Sequence, residues 1–521
     1  MKFFFPALAF SAFLYAAGGE RQDARFWFTQ ALQAYQQRDW ERANNAALKA
    51  LQVNPRLADA DVLLGLIATA KSQFTTAERW FRKAVALQPG NDRAHAYLGS
   101  TYLQLKRFGD ADQAFHNALE LNPANQSANY NLGLIALMRK RPAEALPRFE
   151  AVLRVNAGDL AALIGVFESE LLLARKQAAR RTAQEIETLV DPGSPELTQV
   201  ATMLALHADY ETALPMLERA HKAHPDSYDL SYNLALAYFH SSQYDRAAEV
   251  LQPLLTQSRR AEVYSVLGSV EEARGRPAEA VHCYQVASRS EPGSETYRFD
   301  YANALLQHQG AQAAVPVFTA GVQDFPSSWR LYLGLGSSYY LAGRYEDAAQ
   351  SLLKAVALKP DARLAYFLLG KAYEPATSHQ AAIASTFKSY LSGDVNDPWA
   401  EYYYGLMLYL NARAERGADF SDAKLHLKRA LALNPRFAEA YLQSALIAEA
   451  EGRLQDSLHS LEQAVRMDPA LAAAHYRLAL AYQRFGEKEK ARVEMELFKN
   501  LKDGQAGEQN AVLRSLSSQT R

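Results

Sequence analysis

The sequence predicts an all-α chain built as a linear stack of antiparallel helix pairs. Three observations carry that expectation. First, residues 58–91 and 92–125 superpose at a step of 34 residues, matching Gly65 to Gly99, Ala77 to Ala111, Phe81 to Phe115, Ala84 to Ala118 and Pro89 to Pro123. A fixed internal period in this range marks a solenoid, in which each repeat contacts only its neighbours. Second, Ala, Leu, Glu, Gln and Arg abound and the period-2 alternation of strands is absent, which favours helix. Third, proline recurs at the end of successive units, where it stops a helix by lacking an amide and clashing with the preceding turn.

Length and charge set outer bounds. A chain of 521 residues would ordinarily divide into about three or four domains, but a solenoid extends one core along an axis. Formal net charge is −1 and the pI about 6.9. A nucleic-acid binder would show a basic surplus or stripe, so nucleic acid is not expected as a partner. Cys283 is the only cysteine, which rules out an intramolecular disulfide.

Taken in order, residues 1–19 (MKFFFPALAFSAFLYAAGG) join Lys2, an apolar run from Phe3 to Tyr15 and small residues to Gly19. This is the layout of a secretory signal peptide, with small residues placed for cleavage after Gly18. An uncleaved N-terminal anchor is the alternative, although the run is short of the roughly 20 apolar residues of a membrane span. The spacing predicts an extracytoplasmic chain, periplasmic or secreted, with no span in the mature protein. Fourteen units then start at 24, 58, 92, 126, 160, 194, 228, 261, 295, 329, 363, 398, 438 and 472. The eighth position is Gly or Ala in every unit except the fifth, where it is Phe167; small residues are expected where two helices cross closely. The twentieth position, expected to face it, is Ala in thirteen units, Ala382 included, and Ser457 in the other. Pro55, Pro89, Pro123, Pro225, Pro292, Pro326, Pro360, Pro435 and Pro469 close nine units.

The irregular places are as informative. The fifth unit carries the basic run Arg175, Lys176, Arg180, Arg181 and ends in Asp191-Pro192-Gly193-Ser194-Pro195, a breaker cluster. It predicts a joint between an array at 24–191 (five units, the fifth degenerate) and one at 194–502 (nine units). Insertions fall at Glu374–His379 and around Asn411–Phe420; these read as tolerated loops or as parts of a binding face. The charged second helix of the last unit, from Glu487, reads as a polar cap. Residues 503–521 are rich in Ser, Gln and Gly and are expected to be disordered.

These positions reproduce most of W-x₂-L-G-x₂-Y…A-x₃-F…A…P, and the chain resembles the tetratricopeptide repeat family over nearly its whole length. The resemblance implies a right-handed superhelical solenoid whose first helices line a concave groove, with positions 2, 5, 6, 9, 12 and 13 facing the ligand. Carried onto this sequence, the groove residues are Tyr130, Asn131, Tyr232, Asn233, Phe299, Tyr340, Trp399, Tyr402 and Tyr409, with Phe28, Phe367, Tyr476, Tyr35 and Phe239 at equivalent places. The densest stretch, WAEYYYGLMLYL (399–410), is expected to form a partner-binding patch, since Tyr and Phe give large contact area at low rotamer cost. Only Lys371 falls at a groove position suited to the carboxylate clamp of chaperone-binding members, and Asn131 and Asn233 are too few for an asparagine ladder.

No catalytic signature is present: no G-x-S-x-G, Gly-rich phosphate loop, H-E-x-x-H or paired Cys-x-x-Cys. His221 and His224 lie three apart without a third ligand at motif spacing. Cys283 beside His282 reads as a packed thiol rather than a nucleophile. The reading is a non-catalytic scaffold that needs no cofactor or metal and binds a protein or peptide rather than a small-molecule substrate. The alternative is a subunit of polysaccharide synthesis or export machinery.

Overall fold

The computed structural model describes residues 23–257, 260–393, 395–413 and 419–502. The segment 1–19, the tail from 503 and half of the insertion around Asn411–Phe420 lie outside the described residues. The described residues contain 28 α-helices, one short 3-10 turn and no strand.

They divide into two compact units, one ending at Gln243 and one starting at Tyr244. The first holds α1 (Ala24–Gln36), α2 (Trp40–Val53), α3 (Ala58–Ala70), α4 (Phe74–Leu87), α5 (Asp92–Gln104), α6 (Phe108–Leu121), α7 (Gln126–Met138), α8 (Pro142–Val155), α9 (Leu160–Leu172), α10 (Lys176–Leu189), α11 (Pro195–Leu206), α12 (Tyr210–Ala223) and α13 (Tyr228–His240). The second holds α14 (Tyr244–Gln257), α15 (Ala261–Ala273), α16 (Pro277–Ser290), α17 (Glu295–His308), α18 (Ala311–Asp324), α19 (Trp329–Leu341), α20 (Tyr345–Leu358), α21 (Arg363–Ala372), the 3-10 turn Thr377–His379, α22 (Gln380–Leu391), α23 (Pro398–Arg413), α24 (Ser421–Leu433), α25 (Ala438–Ala450), α26 (Leu454–Met467), α27 (Ala472–Arg484) and α28 (Lys488–Lys502). Within each unit, consecutive helices pack pairwise in chain order. The breaker cluster Asp191–Pro195 lies inside the first unit as an ordered turn: Ser194 N donates to Asp191 O, and Ser194 Oγ caps α11 by accepting from Leu197 N.

The helix pairs are shaped by a repeated turn. In the 92–125 hairpin, Leu105 ends α5, Lys106 adopts a left-handed φ of 59°, Lys106 N donates to Leu103 O, and Arg107 N donates to Tyr102 O. That pair of bonds is a Schellman cap, satisfying carbonyls the helix end would leave bare. The left-handed place is filled by Arg38, Ser72, Lys106, Lys140, Ala174, Ala208 and Ser242 in the first unit, but by Gly275, Gly343, Gly452 and Gly486 in the second. At the other end, side chains at the fourth position of a first helix tie back to the closing proline. Asn129 Nδ2 donates to Pro123 O at 2.9 Å, and the Nε2 atoms of His95 and His475 lie 3.0 Å from Pro89 O and Pro469 O.

The small eighth position has a specific cause. A Cβ added at Gly65, Gly99, Gly133 or Gly268 would come within 3 Å of the ring of Phe81, Phe115, Phe149 or Tyr284, the residue at position 24 of the same unit. The ring lies flat on the glycine, and Phe81, Phe115 and Phe149 are fully buried. The fifth unit inverts this pair: Phe167 at position 8 faces a unit with Ala183 at position 24, and both are fully buried. The sizes at the two positions are thus exchanged in this unit.

One expected core residue is corrected. Ala382 is exposed, and Ile383 is buried in its stead. The unit from 363 is one residue longer than the 34-residue step, and the 3-10 turn at Thr377–His379 advances the register by that residue.

Candidate binding surface

The nine candidate groove residues divide by burial. Asn131, Phe299 and Tyr409 are buried, which corrects the expectation that they face a ligand. Asn131 Nδ2 donates to Ser127 O at 2.8 Å one turn earlier on α7. Phe299 lies edge-on to Phe318 with centroids 6.0 Å apart, and the Arg330 guanidinium covers its ring at 4.3 Å. Tyr409 packs on Phe420 at 5.4 Å. For Phe299 and Tyr409 a neighbouring side chain claims the face that the repeat position assigns to solvent, whereas Asn131 turns back onto its own helix.

The other six are half-buried. Tyr130 lies edge-on to Phe149 at 5.7 Å, Tyr232 stacks on Tyr228 at 6.0 Å, and Tyr340 meets Tyr345 at 5.6 Å. Asn233 sits beside Tyr232 on α13. Trp399 and Tyr402 belong to a contiguous aromatic cluster. Trp399 lies 5.1 Å from Phe367 and 4.4 Å from Phe437, both edge-on, while Tyr402 lies 5.1 Å from Phe437. Beneath them Tyr403 stacks on Trp399 at 5.9 Å and presses on Gly370, whose added Cβ would stand 2.2 Å from the ring. Burial pushes the Tyr402 phenol well above its usual range, with Glu439 and Glu374 adding to the effect. It stays a neutral hydroxyl. Chemically the cluster offers apolar ring faces and one hydroxyl, suited to gripping an aromatic or aliphatic side chain.

Phe437 completes this cluster and sequence reasoning missed it. It is the last residue before the unit at 438, outside the groove positions, so no positional rule selects it. An aromatic at the end of an insertion-bearing unit was the available signal. The ring of His224 bonds Gly193 O at 2.9 Å, whereas His221 Nδ1 lies 3.3 Å from Ser231 Oγ, so the two histidines serve different neighbours. Cys283 is buried on α16, and burial, with Glu271 and Glu279 assisting, pushes its thiol up to about 11. It is a packed apolar group. Among the described residues no group of His, Cys, Asp and Glu could hold a metal ion, and no helix is long and apolar enough to cross a membrane.

Fold and repeat pattern together define a helical-repeat protein. Tetratricopeptide repeat models match residues 28–92, 98–160, 204–270, 265–328, 299–363, 333–398, 413–458 and 442–496. The chain belongs to the tetratricopeptide repeat family. It is 24% identical over 319 residues to the BBSome complex member BBS4 of Bos taurus, covering 60% of this chain and 59% of that protein. It is 27% identical over 317 residues to the TPR repeat-containing protein YpiA of Bacillus subtilis (strain 168), covering 58% of this chain and 71% of the other. The chain thus spans about three fifths of the bovine relative's length. Among solved structures, Pseudomonas aeruginosa pilF is similar at 23% identity and a TM-score of 0.36, covering 40% of this chain and 94% of that one. Naa15/Naa10 bound to HypK-THB is similar at 18% identity and a TM-score of 0.33, covering 91% and 68%.

Proposed function

We propose that this protein is a non-catalytic interaction scaffold that holds a peptide segment or partner protein against its first helices, in an assembly outside the cytoplasm. The observation that carries the reading is the half-buried pair Trp399 and Tyr402, braced by Phe367 and Phe437. Rings held in place by other rings lose little rotamer freedom on binding, and buried-edge aromatics are frequent interface hot spots. A relative named as a complex member fits a chain that acts by holding other proteins. The extracytoplasmic placement rests on residues 1–19 alone.

The test is a comparative crosslinking pull-down from native envelope extract. The chain and its Trp399→Ala/Tyr340→Ser variant are compared after both show equal helical melting. A partner lost from the variant supports the reading. An identical partner set removes the groove from the function, and a glycan-handling partner alone would favour the polysaccharide alternative. N-terminal sequencing of the mature chain checks the location: a start at Gly19 supports export, and an intact Met1 on a cytoplasmic chain overturns it.

A further inference from the structure

The first unit carries an exposed apolar ladder that the aromatic patch does not use. Met138, Leu172 and Leu206 are 48%, 50% and 76% exposed. They occupy the same place, the thirteenth, on three successive first helices, α7, α9 and α11, which lie side by side. At the usual interhelical spacing of about 10 Å, the ladder is roughly 20 Å long. Large apolar side chains this exposed, in register on adjacent elements, mark a contact surface rather than scattered exposure.

Beside the ladder runs a rim of positive charge, formed where each first helix turns into its partner. Lys140, Arg175 and Lys176 are exposed there and make no ion pair with any described residue. The acids of the same rim are already engaged. Glu144 pairs with Arg141 at 3.4 Å, Asp209 takes two bonds from Arg180 at 2.7 and 2.8 Å, and Glu211 lies 3.5 Å from Arg180. The opposite flank carries the other sign. Glu168 sits one turn before Leu172, half-buried and with no ion pair to a described residue, and burial raises its carboxyl above the usual range.

We infer that this strip docks an acidic amphipathic peptide segment of a partner protein, its apolar side chains on Met138, Leu172 and Leu206 and its carboxylates along one flank only, over Lys140, Arg175 and Lys176. The inference rests on the scaffold reading above and names the class of partner for this unit. The 10 Å spacing fits apolar residues at every seventh position of a helix, or at every third of a chain in the polyproline II conformation. A bilayer fits less well. Lys140 and Arg175 lie in the turns past the ends of α7 and α9, and Lys176 opens α10, so a membrane reaching the leucines would first have to pass the cations below its headgroups, whereas a segment laid across the helix ends meets both.

The experiment is selection of displayed random peptides, each about 16 residues and so long enough to span the ladder. They are selected on the full chain and screened on two variants, Leu172→Ser/Leu206→Ser and Lys140→Glu/Arg175→Glu/Lys176→Glu, each checked for unchanged helical melting. The expected pool is rich in Asp and Glu with apolar residues at one of the two spacings, and binds either variant about tenfold more weakly. A pool without acidic bias, or one that both variants retain in full, overturns the inference while leaving the scaffold reading intact. A chain that selects no peptide overturns the inference, and together with an empty pull-down it overturns the scaffold reading as well. Co-sedimentation with anionic phosphatidylglycerol vesicles closes the remaining case: binding lost in the triple-charge variant, with no strip-dependent peptides, assigns the strip to lipid and overturns the peptide assignment.

Discussion

Gly133 and the Phe149 ring show how much one methyl group decides at the residue scale. A Cβ there would stand 2.7 Å from the ring, so Gly133→Ala should cost about 1–3 kcal/mol in chemical denaturation, the usual penalty for overpacking. The inverted pair gives the converse. Phe167→Ala should cost about 3–5 kcal/mol, and combining Phe167→Gly with Ala183→Phe should recover a large part of it; a double-mutant cycle with no favourable coupling would contradict the exchange. The left-handed turn residues give a prediction of opposite sign. A non-glycine residue held at positive φ is strained by about 1–2 kcal/mol, partly offset by the lower backbone entropy of glycine. Lys140→Gly should therefore raise stability by up to about 1 kcal/mol, whereas Gly343→Lys, at φ 73°, should lower it by a similar amount. Position 8 was readable from sequence as small, but Phe167 read as an anomaly, because its compensating alanine lies on the other helix of the hairpin.

Between elements, the tie from α10 to the start of α12 is electrostatic. Asp209 is buried, which alone would raise its carboxyl, but hydrogen bonds from Arg180 and Thr212 prevail and hold it below the usual range. A carboxyl depressed in the folded state contributes stability above its unfolded value of about 3.9 and loses it as pH falls through the folded value. Arg180→Met should thus destabilise the chain near neutral pH and leave less stability to be lost below about pH 4. Equal losses at pH 7 and pH 3 would assign Arg180 to packing alone. Glu170 titrates with the reverse sign. Burial raises its carboxyl despite the bond from Thr182, so its contribution is fully present below about pH 4.3 and is lost as pH rises through its folded value. Helices were legible because period and proline act locally. The facing of Asn131, Phe299 and Tyr409 was not, because repeat position gives a direction on the helix, while exposure depends on which neighbour, such as Arg330 or Phe420, reaches over it. The displaced Ala382 shows the same limit, since one inserted residue shifts every later assignment in its hairpin.

For the whole molecule, the solenoid architecture was legible end to end because the 34-residue step repeats across the chain, but its division was not. The strongest breaker cluster, at Asp191–Pro195, forms an ordered turn inside one compact unit, and the units part at Gln243 and Tyr244. That boundary coincides with the change from non-glycine to glycine in the left-handed turns, a signal carried by backbone conformation rather than by hydropathy. Within each unit, a stack of hairpins presents two kinds of surface, first helices and second helices, and the central claim is that partners are held by the first. Site-specific photo-crosslinking tests this most directly. A photoreactive residue is placed in the full chain at Tyr340, Trp399 or Leu206 on first helices, and at Arg79 or Gln350, exposed on second helices, and the crosslinked partners are mapped by mass spectrometry. Partner crosslinks concentrated at the first three positions are the predicted result. Crosslinks confined to Arg79 and Gln350 would contradict it and move the binding surface to the second helices.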